Sequence, residues 1–77
     1  MARYFFDVRD GETHVDENGT ELVDMAGVKR VAAGRMSAVL QGRFGTAWFG
    51  HDWCIIVRRE DGAIVLVVTL VATETGL

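Results

Sequence analysis

A chain of 77 residues with net charge −3, 49% hydrophobic residues and no proline makes one small domain, spanning 1–77, with room for a single core. This composition excludes a disordered tail, and the negative charge gives nucleic-acid binding no help from counterion release. A lone core of this size is marginal, and the single cysteine, Cys54, excludes an intrachain disulfide, so a metal or a partner chain is the remaining support.

From Arg3 to Arg9 polar and apolar residues alternate. Tyr4, Phe6 and Val8 fall on one face and Arg3, Asp7 and Arg9 on the other, with Phe5 as the exception, which is the pattern of a half-buried strand. Asp10-Gly11 is a pair that suits a type I′ turn, and Glu12 to Glu17 reads as the returning strand, with Thr13 and Val15 on one face. Asn18-Gly19 is a second turn signal. The period then changes. Met25, Val28, Ala32, Met36, Val39 and Leu40 recur at spacings of three and four and predict a helix over about 25–41. Asp24 stands at its N-cap, Val23 and Val28 are spaced as a hydrophobic staple, and Gly42 and Gly45 are stop signals.

After an aromatic-rich loop, GTAWFGHDW, residues Asp52 to Arg59 and Ala63 to Ala72 read as strands joined by Glu60-Asp61-Gly62. Their runs CIIV and IVLVV are apolar at successive positions, which implies burial on both faces. One helix covers one face, so something else is expected over part of the other. The predicted fold class is α+β: a ββαββ two-layer sandwich, with a four-stranded, mainly antiparallel sheet and one helix packed on one face. Strand order is not set by this pattern.

Arg3, Tyr4, Phe5, Phe6, Asp10 and Gly11, followed by Asp16, Gly19, Glu21, Leu22 and Asp24, carry a resemblance. They match the R-Y-F-F…D-G opening and the D-x-x-G-x-E-L-x-D segment of a group of small bacterial proteins known only as a domain of unknown function. In that group an alanine-rich helix follows, and VRREDGAIVLVVTL resembles its final hairpin. The chain departs from the group at Val23, where proline is common, and in the aromatic loop. The resemblance implies the ββαββ order and no activity.

The stretch HVDENGT suggests a calcium loop until it is counted. With Gly19 at the sixth position, Asn18 and Asp16 fall at ligand positions, but His14 occupies the first and Met25 the twelfth. An Asx-stabilised turn is the expected alternative. His14, His51 and Cys54 lack paired metal-ligand spacing, Cys54 sits in an apolar strand, and no glycine-rich phosphate loop is present. The expectation is a protein with no catalytic, cofactor-binding or metal-binding residues. The N-terminal segment has no signal-peptide core and no run reaches the length of a membrane span, so a cytoplasmic location without membrane contact is expected.

The apolar excess points to an interface instead. Phe5, Trp48, Phe49, Trp53, Ile56, Val65 and Val67 are the candidate residues of an exposed patch through which the chain forms a homodimer or meets another protein. On the helix, Gly27, Val31, Gly34 and Ala38 form a smooth strip that offers a second surface. The rival reading is a nucleic-acid or regulatory partner-binding face built from Arg3, Arg9, Arg58 and Arg59 around Phe5. Against it, the same strands carry acids that can pair with these arginines, and Lys29, Arg30, Arg35 and Arg43 point in different directions around the helix.

Overall fold

The computed structural model describes residues 1–42, 53–71 and 75–76. In chain order the elements are β1 (Ala2–Arg9), β2 (Thr13–His14), β3 (Thr20–Leu22), α1 (Met25–Gly42), β4 (Trp53–Arg59) and β5 (Ile64–Leu70). All the strand pairings are antiparallel. β4 lies between β1 and β5, while β2 and β3 share the outer side of β1. Among the described residues the fold is therefore an open α+β sheet with one helix, as the sequence pattern implies.

The expected second strand is split. Only Thr13 and His14 pair with the end of β1, and Thr20 to Leu22 pair with its beginning. Val15 is 58% exposed instead of facing inward, because residues 15–19 leave the ladder altogether. The first turn also differs from expectation. Arg9 and Thr13 are register partners, so residues 10–12 form the loop, and Gly11 has positive φ while Asp10 does not. A type I′ turn needs both.

Register fixes the two faces. Phe6 lies opposite Val57, and Val8 opposite Ile55, which in turn faces Val68 across β5. These side chains point at α1, where Val28, Ala32 and Met36 are buried and Val31, Val39 and Leu40 flank them. The helical period set the inward positions correctly from Val28 to Leu40, whereas Met25 in the first turn is 37% exposed. Among the described residues the four largest fully buried side chains, Phe6, Ile55, Val28 and Val57, each stabilise the fold by about 1.5–3 kcal/mol.

Asp24 caps α1 as the sequence suggests. Its Oδ1 accepts the Gly27 N–H at 2.9 Å, and its carbonyl accepts the Val28 N–H at 3.2 Å. The staple does not form, since Val23 is 78% exposed. β3 brings Leu22 to the core instead, and Leu22 also borders Gly27.

The β4–β5 hairpin closes through a turn in which Gly62 donates to the Arg59 carbonyl at 2.9 Å and Arg59 donates to the Ala63 carbonyl at 2.8 Å. Gly62 has φ +89°. Farther along, Val57 pairs with Leu66 but Arg58 pairs with Ile64, so Val65 is an extra residue in a β-bulge. Val65 and Leu66 consequently both pack against the core. The continuous apolar run of β5 thus needs less cover on the second face than simple alternation implies.

Candidate functional site

The face of the sheet turned away from α1 divides into a charged half on β1 and an apolar half on β4 and β5. On β1, Asp7 is the central residue. Arg58 reaches it from β4, donating from Nε to Asp7 Oδ2 at 2.8 Å and from Nη2 to Oδ1 at 3.3 Å. The same guanidinium donates to the Asp16 carbonyl at 3.1 Å and lies 4.7 Å from the centre of the Phe5 ring. This accounts for the apolar exception in β1, because Phe5 is covered by Arg58.

Asp16 completes the assembly. Its Oδ2 accepts the Phe6 N–H at 3.0 Å, filling the gap in the ladder between β2 and β3, and its own N–H donates to Asp7 Oδ1 at 2.9 Å. Its Oδ1 accepts the N–H groups of Asn18 at 3.1 Å and Gly19 at 3.0 Å, which is the Asx turn expected from the sequence. The carboxylate is thus turned into the sheet edge and occupied by three backbone donors. Gly19, with φ +73°, fits beneath Arg3 and Phe5; a Cβ there would lie 2.8 Å from Arg3 Cγ. Arg3 fastens the turn from above, donating to the Asn18 carbonyl at 2.8 Å and to Glu21 Oε1 at 3.2 Å.

Both carboxylates are held ionised. Burial pushes Asp7 upward, but the Arg58 hydrogen bond, the Asp16 N–H and the Arg58 charge outweigh it and leave Asp7 below the ordinary value. Asp16 follows the same balance: burial raises it, while the Gly19, Phe6 and Asn18 N–H groups and the Arg35 charge bring it lower. Arg35 comes from the helix side, where its guanidinium sits 5.5 Å from the Phe6 ring centre. Arg58 is raised chiefly by its hydrogen bond to Asp7. A general acid at neutral pH needs a carboxyl shifted the other way, so this cluster is suited to holding the sheet edge and not to proton transfer. In the sequence its acids belonged to a turn and to the polar face of the first strand, and Arg58 stood among the arginines that such acids can pair with. The D-x-N-G spacing announced the turn, and nothing local announced the partner on β4.

The apolar half is simpler. Ile56 lies opposite Val67, and Arg58 opposite Ile64. Val67 is 51% exposed and Ile64 62%, while Ile56 and Cys54 are half-buried.

The expected site residues are thereby sorted. Phe5, Ile56 and Val67 are on the open face, with Phe5 beneath Arg58. Trp53 is not: it is 3% exposed, on the α1 side, because its position in β4 is in step with Ile55 and Val57. Val65 is drawn to the same side by the bulge. Trp48 and Phe49, with His51 and Arg43, lie outside the described residues. Of the four arginines of the rival face, Arg3, Arg9 and Arg58 share the open side. Arg59 is in register with Tyr4 and pairs with Asp61 at 3.4 Å. The smooth helix strip is broken too, since Gly27 is buried and Val31 packs against the core.

Among the described residues no group of three or more His, Cys, Asp or Glu side chains is arranged to hold a metal, and no helix among them is long and apolar enough to cross a membrane. The model of the family DUF6894, a domain of unknown function, matches residues 3–72. No curated protein and no solved structure matches the chain.

Proposed function

This chain belongs to the DUF6894 family, a domain of unknown function, and from that premise we propose that it is a non-catalytic cytoplasmic interaction module that associates with a second copy of itself through the apolar β4–β5 side of its sheet. The observation that carries this reading is the group of Ile56, Ile64 and Val67, of which the last two are more than half exposed on a sheet surface. Clustered apolar side chains on a sheet surface are characteristic of association surfaces. The size of the chain, 77 residues, supports the same reading, because a small domain gains from a partner what it lacks in buried area.

The rival nucleic-acid reading has less support, because three of its four arginines are engaged by acids. Arg58 is engaged by Asp7, Arg3 by Glu21 and Arg59 by Asp61. A stacked base would also have to displace Arg58 from the Phe5 ring.

Size-exclusion chromatography with light scattering tests the proposal. The expected mass is about twice the 8.5 kDa of one chain at micromolar concentration, and Val67→Asp is expected to return the mass to that of a single chain. A monomeric unsubstituted protein under those conditions overturns the reading.

A further inference from the structure

The two edges of the sheet are built differently. On the outer side of β1, the strands are two and three residues long, and the Asp16 carboxylate takes the Phe6 N–H between them. Exposed Glu12, His14, Glu17 and Glu21 line that stretch. Short, interrupted and charged edge strands resist pairing with another chain. β5 has none of these protections. It runs seven residues, IVLVVTL, without a charge or a proline, and among the described residues it pairs with β4 alone. Its bulge is confined to the turn end, leaving Leu66 to Leu70 in unbroken register with β4.

We propose that two copies of the chain pair antiparallel along β5, edge to edge, so that their sheets become one. This rests on the self-association proposed above and specifies its geometry. A two-fold axis at Val67, the middle of the strand, sets Leu66 opposite Val68 of the second copy and Val67 opposite its own counterpart. Leu66 to Val68 of the two copies then pair in regular register, with the bulge at Val65 ending the ladder on either side, and their outward backbone N–H and C=O groups gain partners. Stacking the open faces is the competing geometry, but it would take Arg9 and the Asp7–Arg58 pair out of water, a desolvation that ion pairing seldom recovers. The edge carries no such charge.

Cysteine cross-linking of the full chain distinguishes the two. In the edge-paired dimer, the Cys54 residues of the two β4 strands are three interstrand spacings apart, roughly 14 Å or more, beyond the Cα separation of about 7 Å that a disulfide can bridge. Val67→Cys in a Cys54→Ser background places two thiols at directly opposed positions, about 5 Å apart at Cβ. Because Val67 is half exposed, the substitution leaves the core intact, which far-UV circular dichroism verifies. Under mild oxidation this variant is expected to run mainly as a covalent dimer on a non-reducing gel. The unsubstituted chain, and Ile64→Cys in the same Cys54→Ser background, are expected to run as single chains. Cross-linking through Cys54, or failure at Val67→Cys in a protein of dimeric mass, overturns the edge pairing while leaving self-association in place. A monomeric mass for the unsubstituted chain overturns both.

Discussion

Asp16 acts as a strand residue without being in a strand. Its carboxylate replaces the carbonyl that a continuous second strand would have offered to Phe6, and it also fixes the following turn through Asn18 and Gly19. Hydrogen bonds to a charged acceptor are worth about 1.5–3 kcal/mol each in favourable settings, and their loss here is not additive because the donors share one carboxylate. Asp16→Ala is expected to destabilise the protein by about 2–3 kcal/mol, read as a lower urea midpoint. The pH dependence follows from the direction of the shifts. Asp7 and Asp16 lie below the ordinary value of 3.8 in the folded protein, so their contribution is present above that value and is lost as pH falls through it toward the folded values. Unfolding free energy measured between about pH 5 and pH 2 should therefore fall less steeply in Asp16→Asn than in the unsubstituted protein.

Element by element, the sequence was legible where one local period governed the outcome. The helix shows this most clearly: the positions from Val28 to Leu40 that recur at three and four are those that face the sheet. Its glycines differ in consequence. A Cβ at Gly34 meets nothing within 4 Å, so Gly34→Ala should raise stability by up to about 1 kcal/mol. Gly19→Ala should cost at least about 1 kcal/mol, since its φ of +73° is strained for a side chain. Both are checked by the same denaturant titration. Local reading failed where a long-range partner decided the structure. Val15 left the ladder because the Asp16 side chain took the place of a backbone acceptor. Val65 turned inward because the bulge inserted a residue against β4. Trp53 was an interface candidate on residue type, yet its phase within β4 carried it to the core.

For the whole molecule, two-layer architecture followed from counting elements, but the order β2-β1-β4-β5 did not. No local pattern says that β1 pairs with a strand beyond the helix, and the pairing becomes apparent only when Phe6 meets Val57 and Asp7 meets Arg58. Of the seven residues the sequence offered for an interface, register places Phe5, Ile56 and Val67 on the open face and turns Trp53 and Val65 toward α1, while Trp48 and Phe49 lie outside the described residues. If association contributes to stability, the thermal midpoint depends on concentration by mass action. Differential scanning calorimetry across a hundredfold range of chain concentration should show a rising Tm for the unsubstituted protein and a constant one for Val67→Asp.

The salt bridge between Asp7 and Arg58 also has a kinetic meaning, because it joins positions 51 residues apart. Aligning β1 with β4 requires closing a loop of 51 of the 77 residues, with α1 inside it, and such non-local closure is slow compared with forming a helix. The Asp16 contacts with Phe6 and Asp7 on the far side of β1 span only ten and nine residues, so they close locally, ahead of that slow step. Asp16→Ala should therefore move the refolding limb of a stopped-flow chevron downward and leave the unfolding limb nearly unchanged, so that the aspartate governs how quickly the native sheet assembles and not how long it lasts.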